Sequence, residues 1–330
     1  MRNTIETKAL KMGQYATLAL LLCLSLVMIH PVFAAEGSSS GTVHVASPAP
    51  SVSSAELWDS GETTDDNNTA LTVDTEYHVN FTVADTNSLA NLDNVTVVIW
   101  ESSTSSEGGS DAESNHYTFT WIESTDTWAS SPSGFVTSAN CNDPGTGSVE
   151  TSYEFTLAFD LSKVAKYTST NTAWKIKIYA FDDEVGSDSD GTLMFGVAFY
   201  SEISISDTTH GWTSLDPGAT DEQIDSPADA DIDFTIVAND NWTIQAKGSG
   251  DLTSGANTIT LSNVKIHKDT LGSAASLMTS YVDVGGLVNQ TSPASESGTS
   301  IFCTLWLNVP TGTLPGDYTY TLYLQIVQQT

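Results

Sequence analysis

Tyr77-His78-Val79-Asn80-Phe81-Thr82-Val83 decides the fold class. In an extended chain Tyr77, Val79, Phe81 and Val83 fall on one side, and His78, Asn80 and Thr82 on the other. An apolar stripe of period two, built from β-branched and aromatic residues, marks a half-buried antiparallel strand. A helix would repeat its stripe every three or four residues. The same alternation returns at Val95, Val97 and Ile99, and at Tyr153, Phe155, Leu157 and Phe159. It returns again at Trp174, Ile176 and Ile178, set against Lys175 and Lys177. Tyr117–Trp121 and Thr127-Trp128, joined across Glu123-Ser124-Thr125-Asp126, read as a hairpin.

A second series follows. Ile203 and Ile205 open it, then Ile232, Phe234, Ile236 and Ala238. Beyond the turn Asn239-Asp240-Asn241 come Trp242, Ile244 and Ala246, then Ile259, Leu261 and Val264, and later Ile301–Leu307. Tyr318–Val327 is the final strand. Short strands separated by Gly, Pro, Asn and Asp predict an all-β protein made of antiparallel β-sandwiches. Asp160–Tyr167 and Lys268–Tyr281 are the segments left for short helices.

Ahead of the strands, Arg2, Lys8 and Lys11 precede an uncharged apolar run, Tyr15–Ile29, which ends in Pro31-Val32-Phe33-Ala34. A basic head, a moderate apolar core and a small-residue end predict a secretory signal peptide over residues 1–34. The core is shorter than the ~20 residues a spanning helix needs. The expected product is secreted and associated with the cell surface, with no membrane span and no C-terminal anchor. Residues 35–54 read as a Ser/Gly/Pro-rich leader, interrupted by one alternating run, Thr42-Val43-His44-Val45-Ala46.

The chain has 10 Lys+Arg against 41 Asp+Glu, a formal net charge of -31. No Arg lies beyond residue 34. That balance excludes nucleic acid and anionic lipid as partners, because both require clustered cations. Cys141 and Cys303 follow the signal segment, and their spacing does not decide whether they pair. Alternation places Cys303 on one face with Ile301, Leu305 and Leu307.

Two stretches resemble modules of archaeal and bacterial surface proteins. Val83-Ala84-Asp85-Thr86-Asn87-Ser88-Leu89-Ala90-Asn91-Leu92-Asp93-Asn94-Val95-Thr96-Val97 is similar to an early strand–loop–strand of Ig-like modules. Val309-Pro310-Thr311-Gly312-Thr313-Leu314-Pro315-Gly316-Asp317-Tyr318 resembles the turn into their last strand. The resemblance covers under a tenth of the chain. It implies two Ig-like sandwich domains, 55–200 and 201–330, in a structural, adhesive or ligand-presenting role, and it implies no catalytic residue.

Four groups of candidate site residues remain. Asp182, Asp183, Glu184, Asp188 and Asp190 form an acidic loop that would supply part of a Ca²⁺ shell, and Asp229, Asp231 and Asp233 form a second acidic cluster on one strand face. Set against both is the plainer reading of solvated acids. Five N-x-S/T sequons mark Asn67, Asn80, Asn94, Asn241 and Asn289 as glycosylation candidates. Trp121 and Trp128 are candidates for a sugar-stacking platform, against the commoner role of aromatic core. Thr42, Val43, His44, Val45 and Ala46 are a candidate assembly strand, able to complete a neighbour's sheet. No G-x-S-x-G or H-E-x-x-H motif occurs. The expectation is a non-catalytic extracellular structural protein: a self-assembling filament, sheath or surface-layer-associated subunit. It would pair with itself or with other cell-surface proteins. The alternative is a secreted adhesive or carbohydrate-binding module.

Overall fold

The computed structural model describes Tyr15, Thr17 and residues 40–43, 48–183 and 187–329, with Ser187, Gly191 and Thr192 placed by backbone alone. The chain divides into two compact units, Met1–Ala46 and Ser47–Thr330. In the first, Tyr15 and Thr17 are helical, and residues 40–43 have no regular structure. Most of the predicted signal peptide, and His44, Val45 and Ala46 of the candidate assembly strand, lie outside the described residues. Thr42 and Val43 are exposed.

The second unit is all-β. Its strands are, in chain order, β1 (Ser51–Asp59), β2 (Ala70–Leu71), β3 (Tyr77–Ala84), β4 (Leu92–Glu101), β5 (His116–Ile122), β6 (Thr127–Ser131), β7 (Ser152–Phe159), β8 (Trp174–Asp182) and β9 (Ser187–Val197). They continue as β10 (Ser201–Ile205), β11 (Glu222–Gln223), β12 (Ile232–Ala238), β13 (Trp242–Gly248), β14 (Leu252–Ser254), β15 (Asn257–Ile259), β16 (Val264–His267), β17 (Ala275–Ser276), β18 (Val282–Asp283), β19 (Thr299–Leu307) and β20 (Leu322–Gln328). Among the described residues of this unit the only helical turns are short 3₁₀ turns. The expected helices are absent: Asp160–Tyr167 is a turn, and Lys268–Tyr281 holds one 3₁₀ turn, Leu271–Ser273. β1 begins at Ser51, so Ser51–Ser54 of the expected leader belong to a strand paired with β3.

Two pairs of sheets enclose two cores. In the first pair, β1-β3-β7 faces β2-β9-β8-β4-β5-β6. All neighbours are antiparallel except β2, which runs parallel to β9. The inward residues of β7 meet the other sheet through aromatic contacts: Trp121 stands edge-on to Phe155 at 5.3 Å, and Phe119 lies 5.6 Å from Phe159. The hairpin from β5 to β6 sets Trp121 opposite Trp128. In the second pair, β10-β12-β19-β16-β17 faces β18-β13-β20. Asn239-Asp240-Asn241 carries the chain from β12 in one sheet to β13 in the other. The core there holds Phe234, Ile236, Ile244, Val264 and Leu305.

Each pair is tied by a tyrosine that reaches back four residues. Tyr117 Oη donates to the Glu113 carbonyl and accepts from the Ser162 amide at 3.1 Å; Tyr318 Oη donates to the Leu314 carbonyl at 2.9 Å. The Tyr318 link pins the corner where the chain crosses from β19 to β20 in the facing sheet, and Tyr117, at the start of β5 after the connection from its sheet neighbour β4, reaches Ser162 beyond β7. The two cores meet around Asn239, which is 1% exposed. Its amide nitrogen donates to the Ala198 carbonyl, and its side-chain oxygen accepts from the Tyr200 amide, both at 2.8 Å. Its backbone donates to Tyr200 and accepts from Tyr167. Every polar group of this buried side chain is matched, which burial requires.

Candidate functional site

The site is an open seam along one side of the second sheet pair. β20 is the edge of its sheet, and the edge strand β10 of the facing sheet runs beside it. Register fixes which β20 side chains point inward. Leu322 lies opposite Gly248, Leu324 opposite Ala246 and Ile326 opposite Ile244. Ala246 and Ile244 are fully buried, whereas Leu322, Leu324 and Ile326 are only half-buried. β10 repeats the contrast. Ile203 and Ile205 pair with the buried Ile236 and Phe234, yet Ile203 is half-buried and Ile205 is 38% exposed. Inward-facing aliphatic side chains stay wet here because no strand covers the space between the two edges.

The backbone is open as well. Ile244 and Gly248 donate away from β20, to Leu287 and Met278. By the alternation of an antiparallel ladder, the bonds to β20 fall on Thr243, Gln245 and Lys247. The amides of Leu322, Leu324 and Ile326 therefore point at the free edge. Unpaired edges are templates for further strands, and proteins usually blunt them with charge. Here Tyr318–Thr330 contains no Asp, Glu, Lys or Arg.

At the end of the seam remote from Asn239, a cleft of about 620 Å³ opens between residues 210–217 and 313–320. Leu252, Ile259, Leu307 and Val309 line its depth, and Trp212, Tyr318 and Tyr320 its walls. His210 Nε2 is 2.9 Å from Tyr320 Oη. Burial holds the His210 pKa below its ordinary value and pushes the Tyr320 phenol up. Both groups are neutral near pH 7, so the cleft is polar without being charged.

The sequence candidates fall elsewhere. Among the described residues, no group of three or more His, Cys, Asp and Glu is placed to hold a metal ion. In the first acidic loop, Asp182 is buried at the end of β8 and Asp183 is exposed, while Glu184 lies outside the described residues. Asp188 accepts from the Val52 amide at 3.0 Å and so fastens the start of β1; Asp190 stands opposite Ile178. Asp229, Asp231 and Asp233 do not share a strand face. β12 starts at Ile232, and Ala230 has φ +67, which breaks the alternation. Asp231 accepts from Thr304 Oγ1, and the Asp233 amide donates to Asp207 at 2.8 Å. Burial raises the Asp233 pKa, and the charges of Asp229, Asp207 and Asp231 raise it further.

Trp121 is fully buried and Trp128 is 7% exposed, so the expected sugar-stacking platform is corrected to core. Their indole nitrogens are spent on Asp126 and Asp143. Of the sequons, Asn241 and Asn289 are exposed, whereas Asn67, Asn80 and Asn94 are half-buried. Asn67 Oδ1 accepts from the Met194 amide, and Asn80 Oδ1 is buried without a partner. Cys141 and Cys303 are free thiols, pushed up to about 11 and about 12 by burial. At neutral pH both are protonated and poor nucleophiles.

The seam residues Leu322, Leu324, Ile326, Ile203 and Ile205 were legible as strand residues and not as a site. The signal available was the absence of charge over Tyr318–Thr330. No known protein family and no curated protein matches the chain. Among solved structures, it is similar to a DUF4466 family protein from Parabacteroides merdae ATCC 43184, at 6% identity and a TM-score of 0.24, over 79% of this chain and 99% of that one. It is also similar to dimeric latent PorU from Porphyromonas gingivalis, at 12% identity and a TM-score of 0.13, over 86% of this chain and 34% of that one. Superpositions this loose carry no argument about fold or function.

Proposed function

We propose that this chain is a non-catalytic extracellular structural protein that associates with copies of itself as a filament, sheath or surface-layer-associated subunit. The observation that carries the reading is the open, charge-free edge of β20 with half-buried aliphatic side chains behind it. A protein with net charge -31 repels its own copies. A contact surface that lacks charge is where that repulsion is weakest. Sandwiches of Ig-like type suit the reading, since they supply rigid rods of stacked β-sheet. Secretion follows from the N-terminal pattern Arg2–Ala34.

The test is negative-stain microscopy of the native secreted protein, with and without a calcium chelator. Ordered filaments or lattices are expected. Their loss with chelator would assign the acidic loops a bridging Ca²⁺, and dispersed monomers under both conditions would overturn the reading. A second reading, an adhesive or carbohydrate-binding module, is favoured by one feature, the cleft walled by Trp212, Tyr318 and Tyr320. Glycan-array binding that is lost in Trp212→Ala would support it.

A further inference from the structure

We infer that the open seam between β10 and β20 receives the leader segment Thr42–Ala46 of a second copy of this chain, which adds as a strand to the edge of β20. The inference rests on the self-associating role proposed above and names the contact that would produce it.

The acceptor is defined by register. Leu322, Leu324 and Ile326 present three free amides and three half-buried aliphatic side chains along one edge. A strand laid there would satisfy the amides and cover the side chains, which is the physics of strand addition. The donor has matching chemistry. Thr42-Val43-His44-Val45-Ala46 alternates, with Val43 and Val45 on one side, and Gly37–Ala55 contains no Asp, Glu, Lys or Arg. Val43 is 84% exposed. In a chain this acidic, two charge-free strands can approach without Coulombic cost.

Reach decides between copies. The Val52 amide bonds Asp188, so β1 starts beside the start of β9. β9 then runs to Val197, and at ~3.3 Å per residue Asp188 and Val197 are about 30 Å apart. The bonds joining the two sheet pairs gather at the Val197 end: Tyr167 and Tyr200 to Asn239, and Lys163 and Glu113 to Glu296. The seam lies beyond that junction. Ala46 is tethered to Ser51 through Ser47-Pro48-Ala49-Pro50 and extends at most about 18 Å from it. The leader therefore cannot lie along the β20 of its own chain. It leaves from one end of the unit while the acceptor sits at the other. A contact between two different surfaces does not close on itself unless rotation happens to make a ring, and repetition gives an open fibre.

The experiment uses the full secreted chain and its variant V43D/V45D. An unchanged Tm and circular dichroism spectrum confirm that the variant folds. Sedimentation velocity at matched concentration should show assemblies for the wild type and monomer for the variant. A synthetic peptide of residues 41–48 is then added to the variant. It should raise Tm by several degrees and slow amide exchange at Leu322, Leu324 and Ile326. A peptide carrying both Asp substitutions should do neither. Assembly of V43D/V45D equal to wild type would overturn the inference and leave self-association standing through another contact. An unchanged Tm with the native peptide would overturn it as well. Monomeric wild-type protein would sink the structural role itself, and the peptide arm still decides the seam.

Discussion

The two sheet pairs treat the same vulnerable place differently. In the first, β2 pairs with β9, and β1 packs against β9 from the facing sheet. The inward residues Leu193, Phe195 and Val197 are accordingly buried. In the second, β10 and β20 flank the equivalent space without a strand between them, and Leu324 and Ile326 remain half-wet. The first pair is finished by its own chain, whereas the second is one strand short along this side. An identical alternation of apolar residues thus gives a closed core in one place and a receptor in the other.

Truncating an inward residue at each seam tests that contrast most strongly. Phe195→Ala removes a fully buried ring that stacks on Trp174 at 5.7 Å. The expected cost is about 3–5 kcal/mol by urea denaturation. Leu324→Ala removes a side chain already half-exposed, so about 1–2 kcal/mol is expected. Equal losses would mean that the second seam is as dry as the first.

Acid should act with opposite sign on Glu101 of the first pair and Asp233 of the second. Glu101, 1% exposed at the end of β4, is pushed up by burial, but hydrogen bonds from Thr104, Lys166 and Ser103 outweigh this and hold it at about 2. A folded pKa below the unfolded 4.5 contributes stability above pH 4.5, and this is lost as pH falls towards 2. Glu101→Gln should cost about 2–3 kcal/mol at pH 7, and the difference should vanish near pH 2. Asp233 in the second pair is raised, so its contribution to stability falls as pH rises. Asp233→Asn should raise Tm at pH 7. A fall in Tm would mean that its hydrogen bonds outweigh its neighbours' charge.

Between the pairs, Asn239→Ala strands the Tyr200 amide and the Ala198 carbonyl. A loss of about 1–3 kcal/mol is expected, with faster exchange at both ends of the junction. The smallest effect is the most specific to the seam. In monomeric protein the amides of Leu322, Leu324 and Ile326 should exchange faster than those of Tyr323, Gln325 and Val327, which face β13. Uniform protection along β20 would close the seam.

Much of the fold was legible in the sequence because side-chain alternation is a local property. Tyr77–Val83, Tyr153–Phe159 and Trp174–Ile178 each declare a strand and its buried face, and the Trp121–Trp128 hairpin needs only its short connection. Local pattern also misled. Asp160–Tyr167 lacks alternation, and turn chemistry rather than helix filled it. Asp229, Asp231 and Asp233 alternate in sequence, but the left-handed Ala230 breaks the strand they would need. Trp121 and Trp128 have the composition of a platform and the position of a core.

By itself the sequence determined the all-β class, the faces of most strands and the acidity of the chain. Each of these depends on neighbours along the chain or on composition alone. Only the tertiary structure decided which strands are edges, because an edge is defined by the partner a strand lacks. Leu322–Gln328 and Leu193–Val197 are both strands with apolar residues at alternate positions. Register and pairing between strands far apart in the chain leave one open and cover the other.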